Sequence, residues 1–157
     1  MLISKEKYIV TDLFTFQKKL GISFKAPSLL EQALVHSSYI NENPTYHLNH
    51  NERLEFLGDA VLGFIIAEKL YQNSPELSEG EMTRLRSMLV CRKTLARIAQ
   101  SIALGDYLYM GKGEESSGGR RKPANLAGAM EALIAAVYLD QGEAATREFI
   151  TNLFENE

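Results

Sequence analysis

The chain is predicted to fold as an all-α domain. Three observations carry that expectation. Apolar residues recur at helical spacing through most of the length, strand-like alternation is almost absent, and helix-opening and helix-closing residues bracket the apolar runs. With 157 residues, 45% of them apolar and 24% charged, the sequence suits one globular domain, expected over residues 1–157, without linker or internal repeat. That balance argues against disorder. The longest greasy run, Ala60 to Ala67, is far shorter than the roughly 20 residues a membrane span needs. The N-terminal stretch MLISKEKYIVTDLF carries early charges and no small-residue cleavage site, so it does not read as a secretory signal. A single cysteine, Cys91, excludes an internal disulfide and fits a reducing cytoplasm. The formal charge of −3 does not point to nucleic acid. Such a partner would need cations concentrated locally.

The elements follow in order. A first helix is expected through Ile9, Leu13, Phe16 and Leu20, with Gly21 just past its end. Ser28 and Glu31 have capping-box spacing and are expected to open a second helix through Leu29, Ala33 and Leu34. Asn41 to His50, polar and broken by Pro44, reads as a loop. Asn51 is expected to cap the next helix, whose first-turn Glu52 suits the helix dipole. Ser78 and Glu81 form another capping box, ahead of a stripe of Met82, Leu85, Met88 and Leu89. Arg92 to Leu104 continues helical until Gly105 breaks it, and Gly111 to Pro123, GKGEESSGGRRKP, is expected to be a flexible loop. A strong helix from Leu126 to Leu139 precedes a stop at Asp140-Gln141-Gly142 and a short final helix.

The chemistry sits in the helix that Asn51 opens, NERLEFLGDAVL. At about 100° per residue, Glu52, Glu55 and Asp59 share one face. Leu54, Leu57, Val61, Phe64 and Ile65 form the opposite, core-type stripe. Phe56 and Leu62 flank the acids, and Ile66 extends that stripe, so the helix is expected to be buried nearly all round. Carboxylates gathered in such a place are costly unless a cation compensates them, and clustered oxygen ligands suit a hard ion such as Mg²⁺. A second acid, Glu131, lies between a core stripe of Leu126, Met130, Leu133, Ile134 and Val137 and a small-residue face of Gly128, Ala132, Ala135 and Ala136. That face would admit a close helix neighbour. Glu131 is therefore placed either to join Glu55 and Asp59 or to stand as a solvated or salt-bridged glutamate.

These residues resemble the ribonuclease III endonuclease domain. NERLEFLGDAVL looks like that family's signature helix. ALVHSSY before it, SEGEMTRLRSMLV after it, the loop GEESSGGRRKP and the helix EALIAAVYLD are similar to the family's other segments, in the same order. The likeness runs from about Leu20 to Gly142 and is to the simple bacterial layout. It implies an all-α homodimer that hydrolyses double-stranded RNA with Mg²⁺, or Mn²⁺ as a substitute, and with no organic cofactor. The products implied are short 3′ overhangs with 5′-phosphates, from precursors of ribosomal or messenger RNA. Glu55, Asp59 and Glu131 match the family's catalytic, metal-binding carboxylates. Glu52 and Glu79 match acids near the active-site valley and dimer interface, although both also fit as first-turn helix acids. Phe56 matches an aromatic that packs into the partner, although it also fits as core.

Two departures bear on function. Where the family usually has an aspartate three residues before its last catalytic glutamate, this chain has Gly128. A helical glycine costs about 1 kcal/mol relative to alanine, so propensity does not explain it. Either packing needs it and water replaces the lost ligand, or the site is weakened and the domain is an RNA-binding scaffold. The intact acids favour the enzyme. The second departure concerns length: such a layout normally continues into a separate double-stranded-RNA-binding domain, which is expected to be absent here, either removed or never part of a minimal protein, since the sequence ends at Glu157. RNA would then be held by Arg120, Arg121 and Lys122, and less strongly indicated are Arg84, Arg86, Arg92, Lys93 and Arg97. Recognition would be of A-form shape and 2′-OH groups. His36 reads as a structural histidine, and His47 and His50 show no metal spacing. A di-iron carboxylate protein would need Glu-x-x-His pairs, and there are none.

Overall fold

Two long helices, packed side by side and running in the same direction, organise everything else. The computed structural model describes residues 12–155, so the expectation at Ile9 lies outside the described residues. Among those described, the α-helices are α1 (Leu13–Leu20), α2 (Pro27–Ala33), α3 (Ser37–Glu42), α4 (Glu52–Asn73), α5 (Glu79–Val90), α6 (Arg92–Ser101), α7 (Lys112–Ser116) and α8 (Pro123–Phe154). Short 3₁₀ turns occupy Leu104–Tyr107 and Gly119–Arg121. The one extended pairing among them is an isolated parallel bridge between Val35 and Tyr109. An all-α fold is what the sequence predicts. None of the described helices is long and apolar enough to cross a membrane.

The most extensive packing is α4 on α8, with α6 on the other side of α8. Leu54, Leu62, Ile65 and Ile66 of α4 meet a core of Leu126, Met130, Leu133, Ile134 and Val137, closed by Leu95 and Ile98 of α6 and by Phe16. The small-residue face of α8 is buried as expected, Gly128, Ala132, Ala135 and Ala136 included. Opposite it stands Gly58. A Cβ there would overlap the backbone carbonyl oxygen of Glu131 and come within 2.5 Å of its carbon. The stop after Leu139 is also present: Gly142 breaks α8 with φ 85° and ψ −174°, a region that favours glycine. Asp140 does more than stop a helix. Its carboxylate accepts the backbone N–H groups of Lys25 (2.9 Å) and Ala26 (2.8 Å), anchoring the chain just before α2.

Several local expectations are overturned. α2 begins on Pro27 with Ala26 in the cap position, so Ser28 and Glu31 form no capping box, and Glu31 instead accepts the Tyr46 hydroxyl. Asn51 occupies the cap position of α4, but its buried amide donates to the Ala33 carbonyl (3.0 Å) and does not cap. By contrast Ser78 and Glu81 form the expected reciprocal capping box of α5. The stripe on α5 is not core: none of its residues is buried, and Met88 is 57% exposed. α6 ends at Ser101, short of Leu104, and Ala103 takes a left-handed φ of 53° ahead of the 3₁₀ turn that contains Gly105. Nor is α4 buried all round. Its buried arc is Leu54, Gly58, Leu62, Ile65 and Ile66, while Phe64 of the expected core stripe and Phe56 are 55% and 82% exposed. Two polypeptide backbones pressed together at Gly58 turn the helix, so the acids sit at the edge of the buried arc.

The contrast between two glycines of α4 tests this packing. Gly63→Ala has nothing within 4 Å of the new Cβ and is expected to hold or raise stability, by up to about 1 kcal/mol from helix propensity. Gly58→Ala must separate two backbones and is expected to cost about 3 kcal/mol or more, at the top of the range for overpacking. Thermal unfolding of the two variants measures the difference; equal Tm values would mean that the helices are not locked at Gly58.

Candidate active site

Glu55 and Asp59 project from α4, and Glu131 from α8 reaches them because Gly58 lets its backbone lie against α4. Glu52, Glu55, Phe56, Asp59 and Glu131 line one open cleft of about 470 Å³. The sequence-predicted acids are thus brought together, with Glu131 joining Glu55 and Asp59. Glu79 is not among them. It lies in a different, apolar groove with Phe64, Leu70, Tyr71 and Met82, and its carboxylate accepts the Thr83 hydroxyl at 2.8 Å.

The electrostatics of the cleft are unbalanced. Burial, followed by the charges of Asp59 and Glu55, pushes Glu131 up from 4.5 to about 7, against the weaker opposing pull of Arg92. Glu55 is also raised, by burial first and then by Glu52 and Asp59, with His36 and Arg92 acting the other way. Three carboxylates held this close store repulsion that a divalent cation would relieve. Among the described residues no three His, Cys, Asp or Glu side chains already form a closed metal cage. An open, oxygen-only cleft nevertheless fits Mg²⁺ or Mn²⁺, because Mg²⁺ keeps several waters and needs only one or two direct carboxylates. Glu55, Asp59 and Glu131 are the residues that would hold it.

A second, smaller cleft of about 60 Å³ adjoins the first through Glu52 and Glu55 and is lined by His36, Asn51, Asn125 and Gly128. His36 has a structural role, as expected. It caps α3 by accepting the Ser38 N–H (3.2 Å) on Nδ1, beside the Ser38 hydroxyl at 2.7 Å. That hydroxyl accepts the Gly111 N–H at 2.9 Å and ties α3 to the approach of α7.

The expected flexible loop is corrected most sharply. Residues 111–123 carry α7 and a 3₁₀ turn. The Glu42 carboxylate accepts the N–H groups of Lys112 (2.9 Å) and Gly113 (3.3 Å), capping α7, a role the sequence did not signal because Glu42 lies 70 residues away. Arg120 donates to the carbonyls of Gly105 (3.0 Å) and Leu108 (2.6 Å) and pairs with Glu115. Lys122 pairs with Glu114 at 2.7 Å. Arg120 and Lys122 are therefore tied up within the segment, and of its cations Lys112 and Arg121 are the exposed ones. A better cationic surface is the shallow groove of about 470 Å³ formed by Arg92, Lys93, Ala96, Arg97, Gln100 and Pro123.

Comparison with known proteins places the chain. The ribonuclease-III-like family model matches residues 26–156. Ribonuclease 3 of Dehalococcoides mccartyi is 58% identical over 146 residues, 93% of this chain and 62% of that protein. Ribonuclease 3 of Desulforamulus reducens is 52% identical over 134 residues, 85% of this chain and 54% of that protein. The chain thus spans between 54% and 62% of the length of these two relatives. The nuclease domain of ribonuclease III from Campylobacter jejuni, in a structure concerned with flexibility in a region of dimer formation, superposes with a TM-score of 0.85. It is 38% identical, covering 92% of this chain and 96% of that one.

The charge imbalance has a direct consequence. Because the folded protein holds the Glu131 proton more tightly than an ordinary carboxylate, it binds more protons than the unfolded chain between pH 4.5 and about 7. Stability of the metal-free protein should therefore fall as pH rises through that window. Thermal melts in EDTA at pH 5 and pH 8 are expected to show the higher Tm at pH 5, and Glu131→Gln should reduce the difference. Added Mg²⁺ should raise Tm more at pH 8, where protons no longer compete for the carboxylates. A Glu131→Gln variant with an unchanged pH slope would rule Glu131 out as its source.

Proposed function

Because the chain belongs to the ribonuclease-III-like family, we propose that it is a divalent-metal-dependent endoribonuclease cutting double-stranded RNA. The observation that carries this is the convergence of Glu55, Asp59 and Glu131 from two helices on one open cleft with an unrelieved negative charge. Phosphodiester hydrolysis needs an activated water, in-line geometry and neutralised phosphate charge. Mg²⁺, or Mn²⁺ in its place, supplies the Lewis acidity for that chemistry when bound. The side chains do the rest. Glu131, whose proton is held up to about pH 7, would be ionised where it held a cation, and its backbone contact with Gly58 fixes where its carboxylate emerges. Asp59, on the exposed edge of α4, faces incoming substrate. Asp59 and Glu131 are the residues whose loss removes turnover most completely. The expected products are duplexes with 5′-phosphates and short 3′ overhangs. A scaffold without catalysis has no observation in its favour, since the three acids remain together around Gly128.

The RNA backbone would be held by the α6 groove of Arg92 and Lys93, and by the exposed Arg121. Contacts of this kind recognise A-form shape and lose affinity steeply with salt. A homodimer supplies two cleavage sites, one for each strand. In support of it, Phe56 (82%), Tyr71 (74%), Met88 (57%) and Phe64 (55%) are exposed. Phe64, Tyr71 and Met82 line an apolar groove of about 410 Å³. Exposed aromatics at this density mark an interaction surface.

The decisive assay is a long labelled RNA duplex at low salt. Cutting is expected with Mg²⁺, not with EDTA, and Glu131→Ala should lower kcat by at least about a hundredfold, as removing a charged transition-state contact does. EDTA-resistant cutting, or a fully active Glu131→Ala, would refute the mechanism. For the dimer, Phe56→Asp is expected to shift sedimentation from dimer to monomer, and a monomeric parent protein would remove the dimer from the proposal.

A further inference from the structure

One exposed aromatic of α4 is held by a cation. The Arg147 guanidinium carbon lies 5.5 Å from the centre of the Phe64 ring. Arg147 comes from the part of α8 beyond Gly142, which Thr146, Phe149 and Ile150 bury in the core. Its Nη1 pairs with Glu68, one turn past Phe64 on α4, and its Nε and Nη2 donate to Glu143 at 3.0 and 2.6 Å. These partners leave the Arg147 side chain only 28% exposed, while Phe64 above it is mostly open to solvent. A second tie, from Lys69 Nζ to the Thr151 hydroxyl at 2.8 Å, joins the same stretches of α4 and α8. Phe64 and Glu68 both line the apolar groove between α4 and α5, whose charged lining also includes Glu79 and Arg86. Those two residues, seven apart on α5, share a helix face. RNA, an anion throughout, would be repelled by Glu68 and Glu79. A patch that carries both signs can instead meet itself about a two-fold axis, acid facing cation. The occupant that this chemistry selects is a second copy of the chain.

We propose that Arg147 is a positioning residue for self-association, holding the Phe64 ring and the Glu68 carboxylate in the places where the second copy covers them. This rests on the homodimer reading and adds to it the residue that governs the dimer's strength. A ring free to change rotamer must be ordered when a partner covers it, whereas a ring already held loses less freedom on binding. The attraction between cation and ring also grows as water is excluded, so covering Phe64 strengthens its contact with Arg147. By two-fold symmetry the pair occurs twice in the dimer, and its effect on the dissociation constant is counted twice.

Sedimentation velocity over a dilution series measures the Kd of the dimer. Arg147→Met keeps the apolar stem and removes the cation. It is expected to weaken dimerisation about tenfold, from roughly threefold at each of the two pairs. Glu143→Gln removes only the outer ion pair and should leave Kd within about twofold, the ordinary worth of an exposed pair. Arg147→Lys keeps a cation beside the ring and should lose less than Arg147→Met. In a Phe64→Leu background, Arg147→Met should cost less than about threefold, a non-additivity that a general loss of stability does not produce. Unchanged Kd in Arg147→Met, a loss in Arg147→Lys as large as in Arg147→Met, or the same tenfold loss with and without the ring would overturn the proposal and leave the dimer standing. A parent protein that sediments as a monomer at every concentration would overturn both.

Discussion

The structure depends on one contact, the meeting of α4 and α8 at Gly58 and Glu131. No side chain separates the two backbones there, so the Glu131 carbonyl lies where a Cβ would be. Asp59 is the next residue along α4, and Glu55 is less than one turn back. Glu131 emerges beside them as a consequence of packing, without help from any loop. Sites carried by packed helices are held more tightly than sites on connecting segments. The position of the acids is set by the same apolar residues that hold the core, among them Leu62, Ile65, Met130, Leu133 and Ile134.

That arrangement sets stability against chemistry. From Leu126 to Val137 every residue of α8 except Glu131 is buried. Placing an ionisable group in such a wall, next to two others of the same sign, disfavours its charged form and pushes its proton affinity up. A core selected only for stability would fill the position with an apolar side chain. Where a local rule is broken inside an otherwise consistent fold, function is the usual reason. Here the broken rule falls on the residue that faces Glu55 and Asp59 across the cleft.

Much of this was legible in the sequence, and the failures have physical causes. The spacing of Glu52, Glu55 and Asp59 placed them on one face, and the small-residue face of α8 predicted a close neighbour, since both follow from helix geometry alone. The Ser78–Glu81 box formed with both reciprocal bonds in place. The similar pair Ser28 and Glu31 failed because Pro27 took the first helical position and Tyr46 took Glu31. Asn51 was diverted from capping by the Ala33 carbonyl. Phe56 and Phe64 looked like core because periodicity reports hydrophobicity and does not distinguish a face buried within the chain from one left for another surface. The glycine-rich segment looked flexible because its partners are remote: Glu42, Gly105 and Leu108 supply the hydrogen bonds that order it.

The two glycines at the α4–α8 interface show why residue type alone underdetermines a role. Both face the opposite helix and both are buried. At Gly58 the obstacle to a side chain is main chain, which cannot yield without parting the helices. At Gly128 the obstacle is a carboxylate that can rotate away. The first glycine is therefore a condition for the fold, and through the fold for the site. The second faces a carboxylate that can move aside, so the fold can do without it.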